Sequence, residues 1–268
     1  MRNIKSEKII VKIGTNVLTD REGTLDLTII KNLVEQMAEI KRGGKDVIVI
    51  TSGAIGAGMK ELQLKKRPKD VVMQQVCASI GQHILMSNYQ VLFNKYHIKV
   101  AQILLTYNDF SNKKTFNYLH NSLGKLLELG IIPIINENDP ISIDEIGPSF
   151  GDNDTLSALI TSKIGADLLV ILTDVDGLFN TNPTNKNAIL LKEIKNIDKK
   201  IVSIVGKTNG LGLGGMKTKI EAAKIATKSG AIVIIANGRK SYILTKILNN
   251  ENVGTIFYPK YSKSLNTN

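Results

Sequence analysis

Six short apolar runs punctuate the chain: KIIVKI (8–13), DVIVIT (46–51), KVAQILL (99–105), IIPII (131–135), DLLVILT (167–173) and AIVIIA (231–236). Their apolar positions are consecutive and do not alternate, which predicts strands covered on both faces. Helical patterns fill the intervals. In 25–44, Ile30, Leu33, Met37 and Ile40 fall on one face, and Gly43–Gly44 supplies the stop. Further helices are predicted at 70–96, 113–130, 153–165 and 217–230. Strand–helix alternation of this kind argues for an α/β fold with a mostly parallel sheet and helices on both faces.

The stretch 175–186 (VDGLFNTNPTNK) reads as a turn-rich excursion and 261–268 as a frayed tail. No internal repeat and no low-complexity linker interrupts the pattern. A single domain over 1–260 is expected, with a seam between two lobes near Asp167.

Open α/β sheets bind ligands at the carboxyl ends of their strands, so the residues after each run matter most. They are small, glycine-rich or polar. Gly14-Thr15-Asn16 follows the first strand, with Lys12 just inside it; Ser52-Gly53-Ala54-Ile55-Gly56-Ala57-Gly58 follows the second; Asn136-Glu137-Asn138-Asp139 follows the fourth; Thr173-Asp174 closes the fifth. Glycines at a helix start let backbone N–H groups approach an anion, but they equally serve close helix packing. The spacing Gly53-x-x-Gly56-x-Gly58 does not match the dinucleotide fingerprint. NGLGLGGMKTK (209–219) is more pointed, because a glycine-rich loop precedes a helix that carries Lys217 and Lys219. The nearby GKT (206–208) is no P-loop, since Ile201 stands where the first glycine of that motif belongs. In GDNDTLSALI (151–160), Asp152 or Asn153 could cap a helix, yet the polar cluster exceeds what one cap needs.

Composition narrows the classes. One cysteine, Cys77, and three histidines give no disulfide and no zinc pattern, so a reducing, cytoplasmic setting is expected. No apolar run approaches a membrane span. The formal charge of +11 is spread along the chain, as in KRPKD (66–70) and LKEIKNIDKK (191–200), and reads as solvated face. Aromatic residues are 5%, with no basic stretch interleaved among them, so nucleic acid is not an expected partner. His83, His97 and His120 are expected in surface or packing roles, and Cys77 in the core.

Six segments, IVKIGTNVLT, VIVITSGAIGAG, GIIPIINENDP, FGDNDTLSALI, LLVILTDVDGLF and GLGGMKTKIEAAKIA, resemble the amino acid kinase family and span 9–225 in that family's order. TSGAI, NEND and GDND narrow the resemblance to members that phosphorylate the side-chain carboxylate of glutamate, the first step of proline biosynthesis. The resemblance implies a three-layer α/β/α sandwich, with the acceptor held by about 1–166 and ATP by about 167–260. It implies Lys12, Lys219 and Asp154 as catalytic residues, the aspartate holding the two lysines in place. Ser52, Gly53, Asn136, Asp139 and Asn153 would bind L-glutamate. Lys12, Thr173, Asp174, Leu213, Gly214, Gly215, Met216, Lys217, Thr218 and Lys219 would bind ATP, with Mg2+ entering on its phosphates and no dedicated protein metal site.

It further implies a homo-oligomer, dimer or tetramer, and functional coupling to glutamate-5-semialdehyde dehydrogenase. The chain departs from the pattern at Leu213, where threonine is frequent, and at Asn182, where an acidic residue is common. The carboxyl-terminal PUA module of many relatives is not expected. Other kinases of the same fold, acting on N-acetylglutamate, aspartate, a carbamate or a nucleoside monophosphate, stay open as alternatives, as does a non-catalytic nucleotide-binding regulator.

Overall fold

The computed structural model describes residues 2, 4–20, 22–106, 108–142, 153–206 and 214–260, apart from the side chains at 142, 205, 206 and 214. Leu213, Asp152 and the 261–268 tail therefore lie outside the described residues. The strands are β1 (Lys8–Ile13), β2 (Asp46–Ile50), β3 (Val100–Leu105), β4 (Ile132–Glu137), β5 (Leu168–Thr173), β6 (Glu193–Ile194), β7 (Ile232–Asn237) and β8 (Thr255–Phe257). The helices are α1 (Thr15–Leu18), α2 (Leu27–Arg42), α3 (Ala54–Glu61), α4 (Val71–Asn94), α5 (Asn108–Ser111), α6 (Lys113–Glu128), α7 (Asp139–Ser142), α8 (Asn153–Ile164), α9 (Lys199–Gly206), α10 (Gly214–Lys228) and α11 (Ile243–Leu248).

Among the described residues the strands form one sheet in the order β3-β4-β2-β1-β5-β7-β8-β6. All neighbours run parallel except β7 and β8. Successive side chains on a strand point to opposite faces, and the apolar runs sort accordingly. Ile9, Val11 and Ile13 of β1, Val47 and Val49 of β2, and Leu168, Val170 and Leu172 of β5 pack on one side with α2, α4 and α11. Ile10, Ile48, Ile50, Leu169 and Ile171 pack on the other with α6, α8 and α10. The result is the expected α/β/α sandwich. Lys12 shares the parity of Ile10, so it emerges on the face of α8 and α10.

Helix starts follow local chemistry. Asp26 accepts from the N–H groups of Thr28 and Ile29, Asp70 from Met73, and Asn112 from Lys114 and Thr115. The four-residue α1 and the helices α3, α9 and α11 have no counterpart in the predicted pattern. β4 also runs two residues past the predicted end, so Asn136 and Glu137 belong to the strand.

In TSGAIGAG the chain turns at Gly53 into α3, which starts at Ala54. Gly53 adopts φ 101°, the left-handed turn that starts α3. Gly58 of α3 and Gly81 of α4 serve packing between the two helices: a Cβ on Gly58 would stand 1.9 Å from the Cys77 carbonyl oxygen, and one on Gly81 would stand 1.8 Å from that of Ala54. Cys77 is buried and His83, His97 and His120 are exposed, as expected. No helix among the described residues is long and apolar enough to cross a membrane.

Because backbone faces backbone where α3 crosses α4, Gly58→Ala and Gly81→Ala are each expected to lower the unfolding free energy by about 3 kcal/mol. Guanidinium denaturation measures it, and a change below about 1 kcal/mol would contradict this account of the contact.

Candidate active site

The chain leaves β1 for β2 on one side and returns to β5 on the other, so the carboxyl ends of β1 and β5 open a crevice at the point where the strand order reverses. Lys12 stands near the end of β1. Asp154 lies in the first turn of α8, where the helix dipole favours an anion. Lys219 lies in the second turn of α10. The three converge: Lys12 Nζ is 2.5 Å from Asp154 Oδ1 and Lys219 Nζ is 3.0 Å from Asp154 Oδ2. Thr218 Oγ1 also donates to Asp154 Oδ2 at 2.9 Å, and Lys219 Nζ donates to the Gly215 carbonyl at 3.0 Å. Lys12 is 2% exposed and Asp154 is fully buried.

Burying three charges costs more than burying apolar groups of the same size. What the arrangement supplies is a fixed pair of ammonium groups with a single net positive charge at the crevice floor. Such a centre suits a group on which negative charge must be offset as it moves.

Two cavities meet above it. One, of about 250 Å³, is lined by Lys12, Gly14, Thr173, Asp174, Gly215 and Lys219 among others. The second, of about 420 Å³, is lined by Gly53, Asn136, Asp139, Asn153 and Arg67 among others. Thr15, Asn16 and Ser52 line both, so the two are confluent. At the β1–β5 crevice, Asn16 Nδ2 donates to Asp174 Oδ2 at 3.0 Å, and Thr173 Oγ1 donates to Asp174 Oδ1 at 3.1 Å. Arg239 steadies the same loop by donating to the carbonyls of Asn16 and Thr19.

Beside the charged side chains that line the larger cavity, one part of its wall is a network of neutral hydrogen-bonding groups. Asn153 Nδ2 contacts the Thr51 carbonyl at 2.8 Å, Asn136 Oδ1 at 2.9 Å and Ser52 Oγ at 3.0 Å. Asn136 Nδ2 donates to Gln82 Oε1 at 2.8 Å, and the Thr51 hydroxyl pairs with that of Tyr89 at 2.9 Å. Asn153 Oδ1 is buried with no hydrogen-bond partner. Burial pushes the Asp139 carboxyl up to about 6, opposed by the charge of Arg67.

All the predicted site residues that are described gather around these two cavities, with two adjustments. Lys217 is exposed and does not line the smaller cavity, because it points off the outer face of α10. Thr218 turns its hydroxyl to Asp154 and so braces the ion triad. Leu213 lies outside the described residues. The charged residues of KRPKD are exposed, as read, but Lys66 and Arg67, with Lys65 before them, also line the larger cavity where the chain folds back from α3 to α4. Gln82 and Tyr89 escape notice altogether. The available signal was a polar residue on the buried stripe of α4, in line with Ala78, Leu85 and Phe93.

Among the described residues no group of three or more His, Cys, Asp or Glu could hold a metal ion. Asp174 is an exposed carboxylate lining the smaller cavity, and a single carboxylate of this kind fits a magnesium ion carried on phosphate oxygens and water.

A parallel sheet covered on both faces, with a lysine–aspartate–lysine centre at its switch point, defines a phosphotransferase-like α/β sandwich, and the model of the amino acid kinase family matches residues 7–237. The chain belongs to that family. It is 46% identical over 255 residues to the glutamate 5-kinase of Clostridium acetobutylicum, covering 94% of this chain and 95% of that protein. It is 44% identical over 254 residues to the glutamate 5-kinase of Methanococcoides burtonii, covering 94% of this chain and 68% of that protein. Among solved structures, the carbamate kinase from Giardia lamblia bound to AMP-PNP superposes with a TM-score of 0.68 at 15% identity, covering 94% of this chain and 98% of that one. The last likeness carries the fold alone.

Removing the central acid would leave two buried ammonium groups facing each other. Asp154→Ala is therefore expected to lower stability by about 3–5 kcal/mol. A Lys12→Met/Asp154→Leu/Lys219→Met triple variant is expected to regain most of that loss, because no buried charge remains. Urea denaturation of both variants checks the pair of outcomes, and an Asp154→Ala protein as stable as the parent would contradict the coupling.

Proposed function

We propose that the chain catalyses ATP-dependent phosphorylation of the side-chain carboxylate of L-glutamate, giving L-glutamyl 5-phosphate and ADP. The observation that carries the proposal is the Lys12–Asp154–Lys219 centre at the junction of two cavities, one suited to phosphates and one to a zwitterionic amino acid. The name borne by the relatives at 44% and 46% identity supports the choice of acceptor over the other substrates of this fold.

The chemistry asks for alignment and positive charge more than for covalent help. A glutamate side-chain carboxylate is ionised at neutral pH and needs no general base. One of its oxygens forms a bond to the γ-phosphorus of ATP. The bond from that phosphorus to the β,γ-bridging oxygen breaks, and its electron pair leaves with ADP. Two anions must approach for this to happen. Lys12 and Lys219 offset their repulsion, and Asp154 holds the two ammonium groups at fixed positions so that nothing must reorganise during transfer. Thr218 locks the carboxylate in its plane. Asp174 would hold, through water, a magnesium ion carried on the phosphates, and that ion would supply further neutralisation of their charge.

On the acceptor side, Asp139 and the unpartnered Asn153 Oδ1 receive the ammonium. The Ser52 hydroxyl accepts from Asn153 and so keeps its own hydrogen for a carboxylate. On the nucleotide side, Thr173, Asp174 and Gly215 at the amino end of α10 border the smaller cavity, where backbone N–H groups suit phosphate oxygens. The lone cysteine is buried and unpaired, in keeping with a reducing cytoplasmic setting.

The direct test is ATP-dependent acyl-hydroxamate formation with a panel of carboxylates. Free glutamate should be the preferred acceptor, and preference for N-acetylglutamate or aspartate would overturn the assignment. Lys12→Ala and Lys219→Ala are each expected to lower kcat by roughly 10³-fold. Near-normal turnover in either would contradict the roles given.

Asp139 generates a pH prediction. Its raised pKa means that the charge is present above about 6 and lost as pH falls through that value. The KM for glutamate is expected to climb as pH falls from 7 to 5, while the KM for ATP changes little. Asp139→Ala is expected to raise the glutamate KM by roughly 30-fold or more at pH 7.5 and to flatten this dependence. A variant in which both KM values rise together would count against the assignment.

A further inference from the structure

The orientation of the Asn153 amide is dictated from behind the cavity wall. A backbone carbonyl can only accept, so the 2.8 Å contact with the Thr51 carbonyl puts Nδ2, and not Oδ1, on that side. With Nδ2 there, Asn136 must present Oδ1 to it, which they do at 2.9 Å. Asn136 therefore turns its own Nδ2 away from Asn153, and that nitrogen meets Gln82 Oε1 on α4 at 2.8 Å. The three amides stand head to tail, each orientation requiring the next, and the series ends at Gln82. Gln82 is 8% exposed, and its Nε2 has no hydrogen-bond partner. Packing on the buried stripe of α4, between Ala78 and Leu85, holds it in line. At the other end, Asn153 lines the larger cavity and its remaining polar atom, Oδ1, is buried and unpartnered. A buried carbonyl oxygen left alone is costly, and a donor cation is its complement.

On the reading of this cavity as the glutamate site, we infer that Gln82 is a positioning residue for substrate recognition. By accepting from Asn136 it holds the Asn136–Asn153 pair in the orientation that leaves Asn153 Oδ1 to receive a hydrogen of the substrate ammonium. Gln82 lines a neighbouring cavity of about 590 Å³ between α4 and the β3 edge, which adjoins the acceptor cavity at Glu137 and Asp139, and is not itself among the residues that line the acceptor cavity. Its effect therefore passes through the two asparagines. Without an acceptor at position 82, Asn136 Nδ2 is left buried and unpaired. The amide that turns to relieve it brings one NH2 group against another at Asn153.

The role predicts a split in the kinetics that loss of packing would not produce. Gln82→Leu is expected to raise the KM for L-glutamate about tenfold, with the KM for ATP and kcat within about twofold of the parent. Gln82→Glu restores an acceptor oxygen opposite Asn136 Nδ2 and is expected to recover most of the lost affinity. Thermal melting accompanies each variant, and Gln82→Met carries the same test if the leucine variant fails to fold. An unchanged glutamate KM in the apolar variant, an equal rise in both KM values, or a Gln82→Glu enzyme no better than the apolar one would each overturn the inference. Glutamate-dependent ADP release by the unsubstituted protein is the separating control. Its absence would overturn the glutamate reading itself, whereas a normal parent with any of those variant results overturns the role of Gln82 alone.

Discussion

The structure is organised around one buried carboxylate. Asp154 has no exposure to water, and its two oxygens are matched by Lys12 on one side and by Lys219 and Thr218 on the other. Everything needed to bring these groups together is a consequence of the layered fold. The two-residue period of β1 sends Lys12 to the same face as Ile10. Helices α8 and α10 cover that face and present their first turns at the carboxyl ends of the strands. The sheet reverses its order between β1 and β5, which opens a crevice where otherwise a helix would close over the centre. An acid inserted between two cations costs folding energy, and its counterpart is a charge pair that cannot drift.

Much of this was legible in the residues. Continuous apolar runs bounded by glycines and amides identified six strands, because a strand buried on both faces admits little else. Lys12 stood out as the polar break inside such a run. What was not legible depends on chain path. KRPKD has the composition of a solvated turn, and only the return from α3 to α4 carries Lys66 and Arg67 to the cavity edge. TSGAIGAG has the composition of an anion-binding loop, but Gly58 and Gly81 are needed for helix contact at backbone distance. Lys217 and Lys219 are alike in sequence, and two residues of helical rotation separate a solvent-facing lysine from a buried one.

Gln82 shows the limit in another way. A glutamine in a long amphipathic helix reads as surface. It becomes informative only when its neighbours on the buried face are known and the opposing strand places an asparagine against it. The same holds for Asn153, which local pattern assigns to a helix cap. In the fold its two N–H donors face three oxygens, from two strand ends and one turn.

The two halves of the proposed site therefore use different physics for different tasks. Phosphoryl transfer needs strong, rather undirected charge, and ammonium groups on flexible stems provide it once a carboxylate pins them. Recognition of an amino acid needs direction, since the ligand carries both signs within a few bonds and a simple positive cavity would accept any dicarboxylate. Neutral amides provide direction, because each has a donor end and an acceptor end and a wrong orientation leaves a buried group unpaired. Anchoring the series on a backbone carbonyl fixes its sense at that end, for the Thr51 carbonyl cannot donate. On the proposed reading the charged centre serves the moving phosphoryl group, while selection of the acceptor lies in the sense of three amides on the opposite wall.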